Sequence, residues 1–373
     1  MNKLVALVCA ACLAAPFALA QDARESKRYD VLALPAVQSP LAQHTLVYSL
    51  TRAGKRLVAT GIRGHILYSD DFGQTWTQAA SVPVRSSLLD ASFPTPEQGW
   101  VVGHEGVILH TADGGRTWTK QLDGVQLATI GLDYYTVKLQ QEPDNERYAF
   151  LVDEMKLAVE GNADRPFFKI LMRSETTGFA VGAYGLLFST ADGGKSWYPV
   201  MEMIELDQLV HLFDYVQLND SPAAGLAGQE LPANLVVAGE MGTMLAPDPA
   251  TGRLRALEFP YEGSMFTILA THNDTLVAGG LRGLVFRSTD RGASWSEVAK
   301  PATGAIVAST QLEDGRVILG VQDGTLLASS DEGASFTPLP IENPHPLSDL
   351  LEGRAGELVL SGTDGLSVVK LPE

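Results

Sequence analysis

One pattern constrains this chain more than any other: an apolar run, Gly-x-x-Gly, a second apolar run, then Ser/Thr-x-Asp-x-Gly-x-Ser/Thr-Trp. Its copies begin with VATGIRGHILYSDDFGQTW (58–76), VVGHEGVILHTADGGRTW (101–118) and AVGAYGLLFSTADGGKSW (180–197). VVAGEMGTMLAPDPATG (236–252) keeps the glycines but not the tail. VAGGLRGLVFRSTDRGASW (277–295) is complete, and ILGVQDGTLLASSDEGASF (318–336) has a longer turn. LVLSGTDGLSVVKLPE (358–373) stops before the tail. The second glycines are Gly64, Gly106, Gly185, Gly242, Gly283, Gly324 and Gly365, so a 41-residue unit recurs with surpluses of 38 and 16 residues in two steps. Fixed periods of about 40 residues, each with four strand-sized runs, predict the blades of a propeller. In the fifth unit the predicted strands are Met265–Ala270, Thr275–Gly279, Leu284–Ser288 and Trp295–Val298. The chain is therefore expected to be all-β, a seven-bladed propeller of four-stranded blades.

The turn chemistry supports this assignment. A tight hairpin with a type I turn followed by a left-handed residue suits Gly106 and its counterparts, because glycine has no Cβ to clash. In the tail, Asp accepts hydrogen bonds from its own turn, and the aromatic residue is expected to open the outer strand. The five boxes are Asp71/Trp76, Asp113/Trp118, Asp192/Trp197, Asp290/Trp295 and Asp331/Phe336. The seventh unit lacks its outer strand. An open ring would leave an exposed edge, so Tyr29–Val37 is expected to pair there, sharing one sheet between the two chain ends. The 38-residue surplus predicts a helical insertion at about 122–165, between blades 2 and 3. Tyr148, Leu151, Val152, Met155 and Val159 lie on one face of a helix from about Asp144 to Glu160. The smaller surplus, about Asn219–Pro232, reads as a loop.

Residues 1–20 combine Lys3, an apolar run and Ala18-Leu19-Ala20, the pattern of a cleaved signal peptide. Residues 21–373 then form one domain, expected in the periplasm. Cys9 and Cys12 both fall inside the leader, so no disulfide or thiolate site is expected in the rest. Loss of Lys3 takes the formal charge from −17 to −18. That charge argues against nucleic acid and anionic lipid as partners, and no later run is long enough to span a bilayer.

Catalytic motifs are missing from the pattern. The seven histidines show no paired metal-ligand spacing, and no nucleophile elbow, Walker loop or dinucleotide fingerprint occurs. No catalytic residue, metal or cofactor is expected. The box resembles the bacterial neuraminidase repeat of sialidases, yet no Arg-Ile-Pro motif accompanies the scattered Arg63, Arg165 and Arg282. A glycosidase using two carboxylates 5–10 Å apart stays open as an alternative, as does a propeller that binds a soluble envelope ligand. The copies differ most inside the Gly-x-x-Gly turns, where a constant scaffold presents varied side chains. Candidate partner-binding residues there are Arg63, His104, Glu105, Tyr184, Glu240, Arg282 and Asp364.

On these turns and boxes, and above all on ADRPFFKILMRSETTGFAVGAYGLLFSTADGGKSW (163–197), the chain resembles the photosystem II stability/assembly-factor-like family of Asp-box propellers. It is similar to the non-photosynthetic proteobacterial branch associated with resistance–nodulation–division (RND) exporters. The resemblance implies a non-catalytic accessory that binds or helps assemble a membrane protein complex, with an RND-type transporter as partner.

Overall fold

The computed structural model describes residues 30–162, 164–219, 231–299 and 302–372. The proposed leader and most of the 219–232 loop lie outside them.

Among the described residues the repeats form seven sheets, six of them antiparallel throughout. Sheet 1 is Val47–Ala53, Arg56–Gly61, Ile66–Ser69 and Thr77–Gln78; sheet 2 is Leu88–Ser92, Gly99–Gly103, Ile108–Thr111 and Thr119–Leu122. Sheet 3 is Phe167–Met172, Gly178–Gly182, Leu187–Thr190 and Tyr198–Pro199. Sheet 4 is Leu212–Gln217, Leu235–Gly239, Met244–Pro247 and Leu254–Ala256, extended by a parallel fifth strand, Ile204–Glu205. Sheet 5 is Met265–Ala270, Leu276–Gly280, Val285–Ser288 and Ser296–Glu297; sheet 6 is Ile306–Gln311, Val317–Val321, Leu326–Ser329 and Thr337–Leu339. Sheet 7 is Leu347–Glu352, Glu357–Gly362 and Gly365–Lys370. The expected four strands per sheet thus become five in sheet 4 and three in sheet 7.

The first strand of each sheet is its inner strand. Consecutive inner strands pack side by side, and that of sheet 1 also packs on that of sheet 7. All seven line one central cavity of about 470 Å³. Every inner strand carries a register shift between its first and third residues, as at Leu88/Asp90, Leu212/Asp214 and Leu347/Asp349. The second strands are buried throughout in sheets 1 to 6. They supply the apolar layers between neighbouring sheets.

Residues 30–37, the described part of the expected strand, do not complete sheet 7, contrary to expectation; Tyr29 lies outside the described residues. Among the described residues, 30–34 form a turn in which Ala33 and Leu34 N–H donate to Asp30 O. Ala36 N–H donates to Val82 O, Arg85 N–H to Val31 O, and Gln38 Nε2 to Ala79 O. Pro35 and Pro40 lack the N–H groups that a regular ladder needs, while Leu32 and Ala36 find apolar cover on Val82 and Val84. The segment therefore lies on the outer side of sheet 1. The two chain ends meet by side chains instead: Asp349 accepts from Leu50 N–H at 2.8 Å, and Arg52 donates to Glu352 O.

The turns differ in part from the expected geometry. In sheets 1 to 5 two successive residues have positive φ: Arg63-Gly64, Glu105-Gly106, Tyr184-Gly185, Met241-Gly242 and Arg282-Gly283. Val107 N–H returns to His104 O to close the second of these. This is the I′ geometry, whose twist matches that of the flanking strands. Only sheets 6 and 7 keep the single left-handed glycine, at Gly324 and Gly365.

The insertion is a pair of helices. The sequence pattern missed α1, Gly124–Gln141, whose N-terminus is closed by an Asp123/Gln126 capping box. The second, α2, spans Glu146–Gly161 with Asn145 as N-cap. Its buried face is Tyr148, Leu151, Val152, Met155 and Ala158; Val159 points outward. The hairpin packs on the outer strand of sheet 3 and the segment after it. Arg147 donates to Met201 O, Ile204 O and Leu206 O, and Tyr135 Oη accepts from Met201 N–H at 2.8 Å. No helix among the described residues is long and apolar enough to cross a membrane.

The box aromatics correct a further expectation. Trp76, Trp118, Trp197, Trp295 and Phe336 do not open the outer strands; regular pairing starts one residue later, at Thr77, Thr119, Tyr198, Ser296 and Thr337. The aromatic position belongs to the turn. The indole N–H groups of Trp76 and Trp118 donate back to Gly73 O and Gly115 O, both at 3.0 Å, and Trp118 sends its own backbone N–H to Ser81 O. Trp197 Nε1 donates across the sheet boundary instead, to Gln121 Oε1 at 3.3 Å. The rings fill the gaps between sheets, as expected of large apolar groups. Trp76 packs on Leu57, Leu67 and Val359, between sheets 1 and 7. Trp118 meets Phe93 edge-on at 6.0 Å, and Trp197 joins the large cluster that spans sheets 2 and 3. Trp295 meets Phe259 at 5.3 Å, and Phe336 packs on the cluster of Val277, Val317 and Leu319.

The aspartates of the five boxes share one hydrogen-bond scheme. In the second, Asp113 accepts from Thr117 N–H and Oγ1, and Thr111 Oγ1 accepts from Gly115 N–H. Asp192 accepts from Ser196 in the same way. Hydroxyl donors (Thr75, Ser294 and Ser329 respectively) hold Asp71, Asp290 and Asp331 down to about 2. A carboxylate with its pKa lowered by folding stabilises the fold above its ordinary value, and this contribution disappears as pH falls through the folded value. The melting temperature should therefore decline as pH drops from about 4 to about 2. Asp331→Asn should flatten part of that decline, read by thermal scans across pH.

Candidate functional site

The register shift sends two successive residues of each inner strand into the central cavity. The third residues form a ring: Ser49, Asp90, Lys169, Asp214, Thr267, Ala308 and Asp349. Lys169 Nζ lies 3.4 Å from Asp90 and 3.5 Å from Asp214. Burial disfavours the ammonium charge, yet Asp90 and Asp214 hold the Lys169 pKa well above its ordinary range. Burial raises Asp349 to about 6 despite Lys169, and it also raises Asp90.

These carboxylates do converge in a deep cavity, as a two-carboxylate glycosidase would require. Their bonding shows a different task. Asp90 accepts from Ile170 N–H at 2.9 Å, Asp214 from Ile268 N–H at 3.0 Å, and Asp349 from Leu50 N–H at 2.8 Å. Each ties its own sheet to the next inner strand round the ring. Lys169 neutralises part of the charge so collected.

The second residues of the inner strands form the cavity mouth on the Gly-x-x-Gly side: Tyr48, Leu89, Phe168, Phe213, Phe266, Val307 and Ser348. Three consecutive sheets give a phenylalanine here. Phe213 stands 5.6 Å from Phe168 and 5.3 Å from Phe266, centroid to centroid. All three are half-buried, so one edge of each stays open.

His211 joins this cluster to the turns. Its ring lies 4.8 Å from Tyr184 and 6.0 Å from Phe168. Tyr184 N–H donates to its Nδ1 at 3.2 Å, which leaves the Nε2 hydrogen to donate elsewhere. Glu240 accepts from His211 N–H at 2.8 Å. Two of the predicted binding residues, Tyr184 and Glu240, thus meet at one histidine. Arg63, the His104-Glu105 pair, Arg282 and Asp364 sit on four separate turns around the same face. Arg165 is buried by α2, where it bonds Glu154 and stacks 5.1 Å over Tyr184.

The face is polarised. Tyr184, Met241 and Leu281 project from the turns of sheets 3, 4 and 5 with 46%, 59% and 38% of their surface exposed. The turns of sheets 6, 7, 1 and 2 carry Gln322-Asp323, Thr363-Asp364, Ile62-Arg63 and His104-Glu105. The turns of sheets 3 to 5 therefore add exposed apolar side chains beside Glu240 and Arg282 on the side of the three mouth phenylalanines, with Asp207 beside Met241. Sequence analysis missed the phenylalanines and the ring carboxylates. Their signal is a fixed offset from each repeat's inner strand, visible once that strand is placed. No group of three or more metal-ligating residues occurs among the described residues.

Removing Lys169 should strand the buried carboxylates. Lys169→Met is expected to cost on the order of 3 kcal/mol, measured by chemical denaturation. The raised Asp349 pKa has the opposite sign from the boxes: the fold favours its protonated form, so its contribution fades as pH rises from about 4 to about 6. Asp349→Asn keeps an acceptor for Leu50 N–H and should remove that part of the pH dependence.

The profile of the family described as "Photosynthesis system II assembly factor YCF48" matches residues 73–142, from the first box to the end of α1. A BNR/Asp-box repeat matches residues 67–78. No curated protein matches in sequence. Among solved structures, YCF48 bound to D1 peptide superposes with a TM-score of 0.62 at 15% identity, covering 92% of this chain and 98% of that one. YCF48 from Cyanidioschyzon merolae gives 0.57 at 16%, covering 91% and 98%. The WD40 β-propeller domain of Doa1 gives 0.60 at 9%, covering 92% and 96%. The chain thus has a β-propeller fold, with one segment similar to the YCF48 family model and one similar to the Asp-box repeat.

Proposed function

We propose that this chain is a non-catalytic scaffold that binds a peptide segment of a membrane protein complex over the apolar sector of sheets 3 to 5. The observation that carries this reading is that Tyr184, Met241 and Leu281 are exposed on the turns of the same three consecutive sheets that give Phe168, Phe213 and Phe266 to the cavity mouth. Aromatic side chains that are already ordered offer large apolar area at small entropic cost. A structurally similar YCF48 is bound to a D1 peptide, which supports a peptide-binding role on this fold. The finer reading is a seven-bladed ring closed by packing of sheet 1 on sheet 7, acting in the periplasm beside an RND-type exporter. The leader-like pattern of residues 1–20 and the family resemblance support that placement.

A photo-crosslinking residue at Met241 tests the reading directly. In gently solubilised membranes it should yield a crosslink to a membrane protein, reduced at least about tenfold by Phe213→Ala combined with Tyr184→Ala. A crosslink yield unaffected by those changes would sink the proposal. The glycosidase alternative rests on Asp90, Asp214 and Asp349 in the cavity. It requires that Asp214→Asn abolish hydrolysis of some glycoside; inert wild-type protein on a broad glycoside panel would remove it.

A further inference from the structure

Among the described residues, no strand covers the outer edge of sheet 7. In the other six sheets the third strand is covered by an outer strand: Thr77–Gln78, Thr119–Leu122, Tyr198–Pro199, Leu254–Ala256, Ser296–Glu297 and Thr337–Leu339. The first two residues of those six third strands are buried in every case. The third strand of sheet 7, Gly365–Lys370, is different: Leu366, Ser367, Val368 and Val369 are all half-exposed. Among the described residues its only strand partner is Glu357–Gly362.

Beside this edge lies a groove of about 680 Å³, walled by Pro340, Ile341 and His345 on one side and by Val368, Val369 and Leu371 on the other. The backbone facing it can be worked out. Leu371 N–H donates to Gly356 O, continuing the register of the pair. Ladder bonds alternate along an antiparallel strand, so Val369 and Ser367 point their amides into the sheet. Leu366, Val368 and Lys370 then present N–H and C=O groups to the groove. A groove lined by both apolar side chains and Glu342, Asn343 and Lys370, beside a row of ladder groups with no strand partner among the described residues, can receive an extended chain.

We infer that this edge takes an extended segment of a partner protein as the fourth strand of sheet 7. The sibling sheets define its chemistry. Five of their outer strands directly follow a box aromatic. The aromatic and the first strand residue read Trp-Thr twice, then Trp-Tyr, Trp-Ser and Phe-Thr. The occupant should therefore carry an aromatic residue, then Thr or Ser, then a short, mainly polar strand like TQ, TKQL or SE. The chain's own N-terminal segment is a poor candidate. Residues 31–39 are committed to sheet 1, and 21–28 (QDARESKR) have six charged or amide side chains and one apolar residue. This site is remote in sequence from the sheet 3–5 sector, and the inference does not rest on that reading.

The probe is a labelled peptide with the sequence of residues 114–122, GGRTWTKQL, titrated into the full chain by fluorescence anisotropy. Saturable binding is expected, lost with a scrambled peptide and weakened at least about tenfold by V368P, which removes one edge donor. Should V368P unfold, I341K alters the groove wall without touching the ladder and should weaken binding similarly. Hydrogen exchange at Leu366, Val368 and Lys370 should be fast in the free protein and slow with peptide. Three results would each overturn the inference: no saturable binding, binding indifferent to both variants, or slow exchange of those amides without peptide. The last would mean that the chain's own N-terminus or a second copy already fills the edge.

Discussion

The fold depends on a carboxylate reaching across a sheet boundary to a backbone amide. Inner strands in a propeller have one edge facing the central cavity, where no further strand can satisfy their polar groups. Asp90, Asp214 and Asp349 meet this demand at three of the boundaries, each accepting an N–H of the next sheet. The last of these bonds joins the end of the chain to its beginning. Cohesion of the ring therefore uses buried charge, and buried charge must be compensated. Lys169, set between two of the three aspartates, supplies the compensation.

The same arrangement gives the charged groups of the cavity an architectural task. Carboxylates, a lysine and a tyrosine in one pocket are the raw materials of an acid–base site. Here their oxygens are already engaged in the ladder between sheets. What remains free lies one residue higher, where phenylalanines replace carboxylates and the environment turns apolar. The mouth and its turns carry the exposed aromatic and apolar side chains, and the interior carboxylates tie neighbouring sheets together.

Much of this was legible in the sequence. The glycine interval fixed the number of repeats, and the box residues fixed the outer hairpins, because both are local features with strict backbone demands. The strands expected in the fifth unit lie within one or two residues of those observed. Three kinds of feature escaped. The turn type did, because Arg63, Glu105, Tyr184, Met241 and Arg282 tolerate a left-handed backbone that their residue types disfavour; strand twist outweighs intrinsic preference there. The place of the box aromatics did, because β-propensity puts Trp76 or Trp118 in a strand, while the indole N–H finds its acceptor inside the turn. The partners of Tyr29–Val37 also did, because strand-like composition says nothing about which edge is nearer. Proline spacing and the apolar pocket at Val82 and Val84 decided the matter. The first helix was missed for a related reason: its glycine start and mixed surface hide the capping box at Asp123.

The repeated register shift has a consequence for how such a molecule can change. By placing neighbouring residues of one strand at two depths, it separates the layer that meets the outside from the layer that keeps the ring together. A substitution at Phe168, Phe213 or Phe266 alters the rim while Lys169, Asp214 and Thr267 beneath keep their bonds. The second residue of each inner strand can therefore be rewritten with the hoop below left undisturbed.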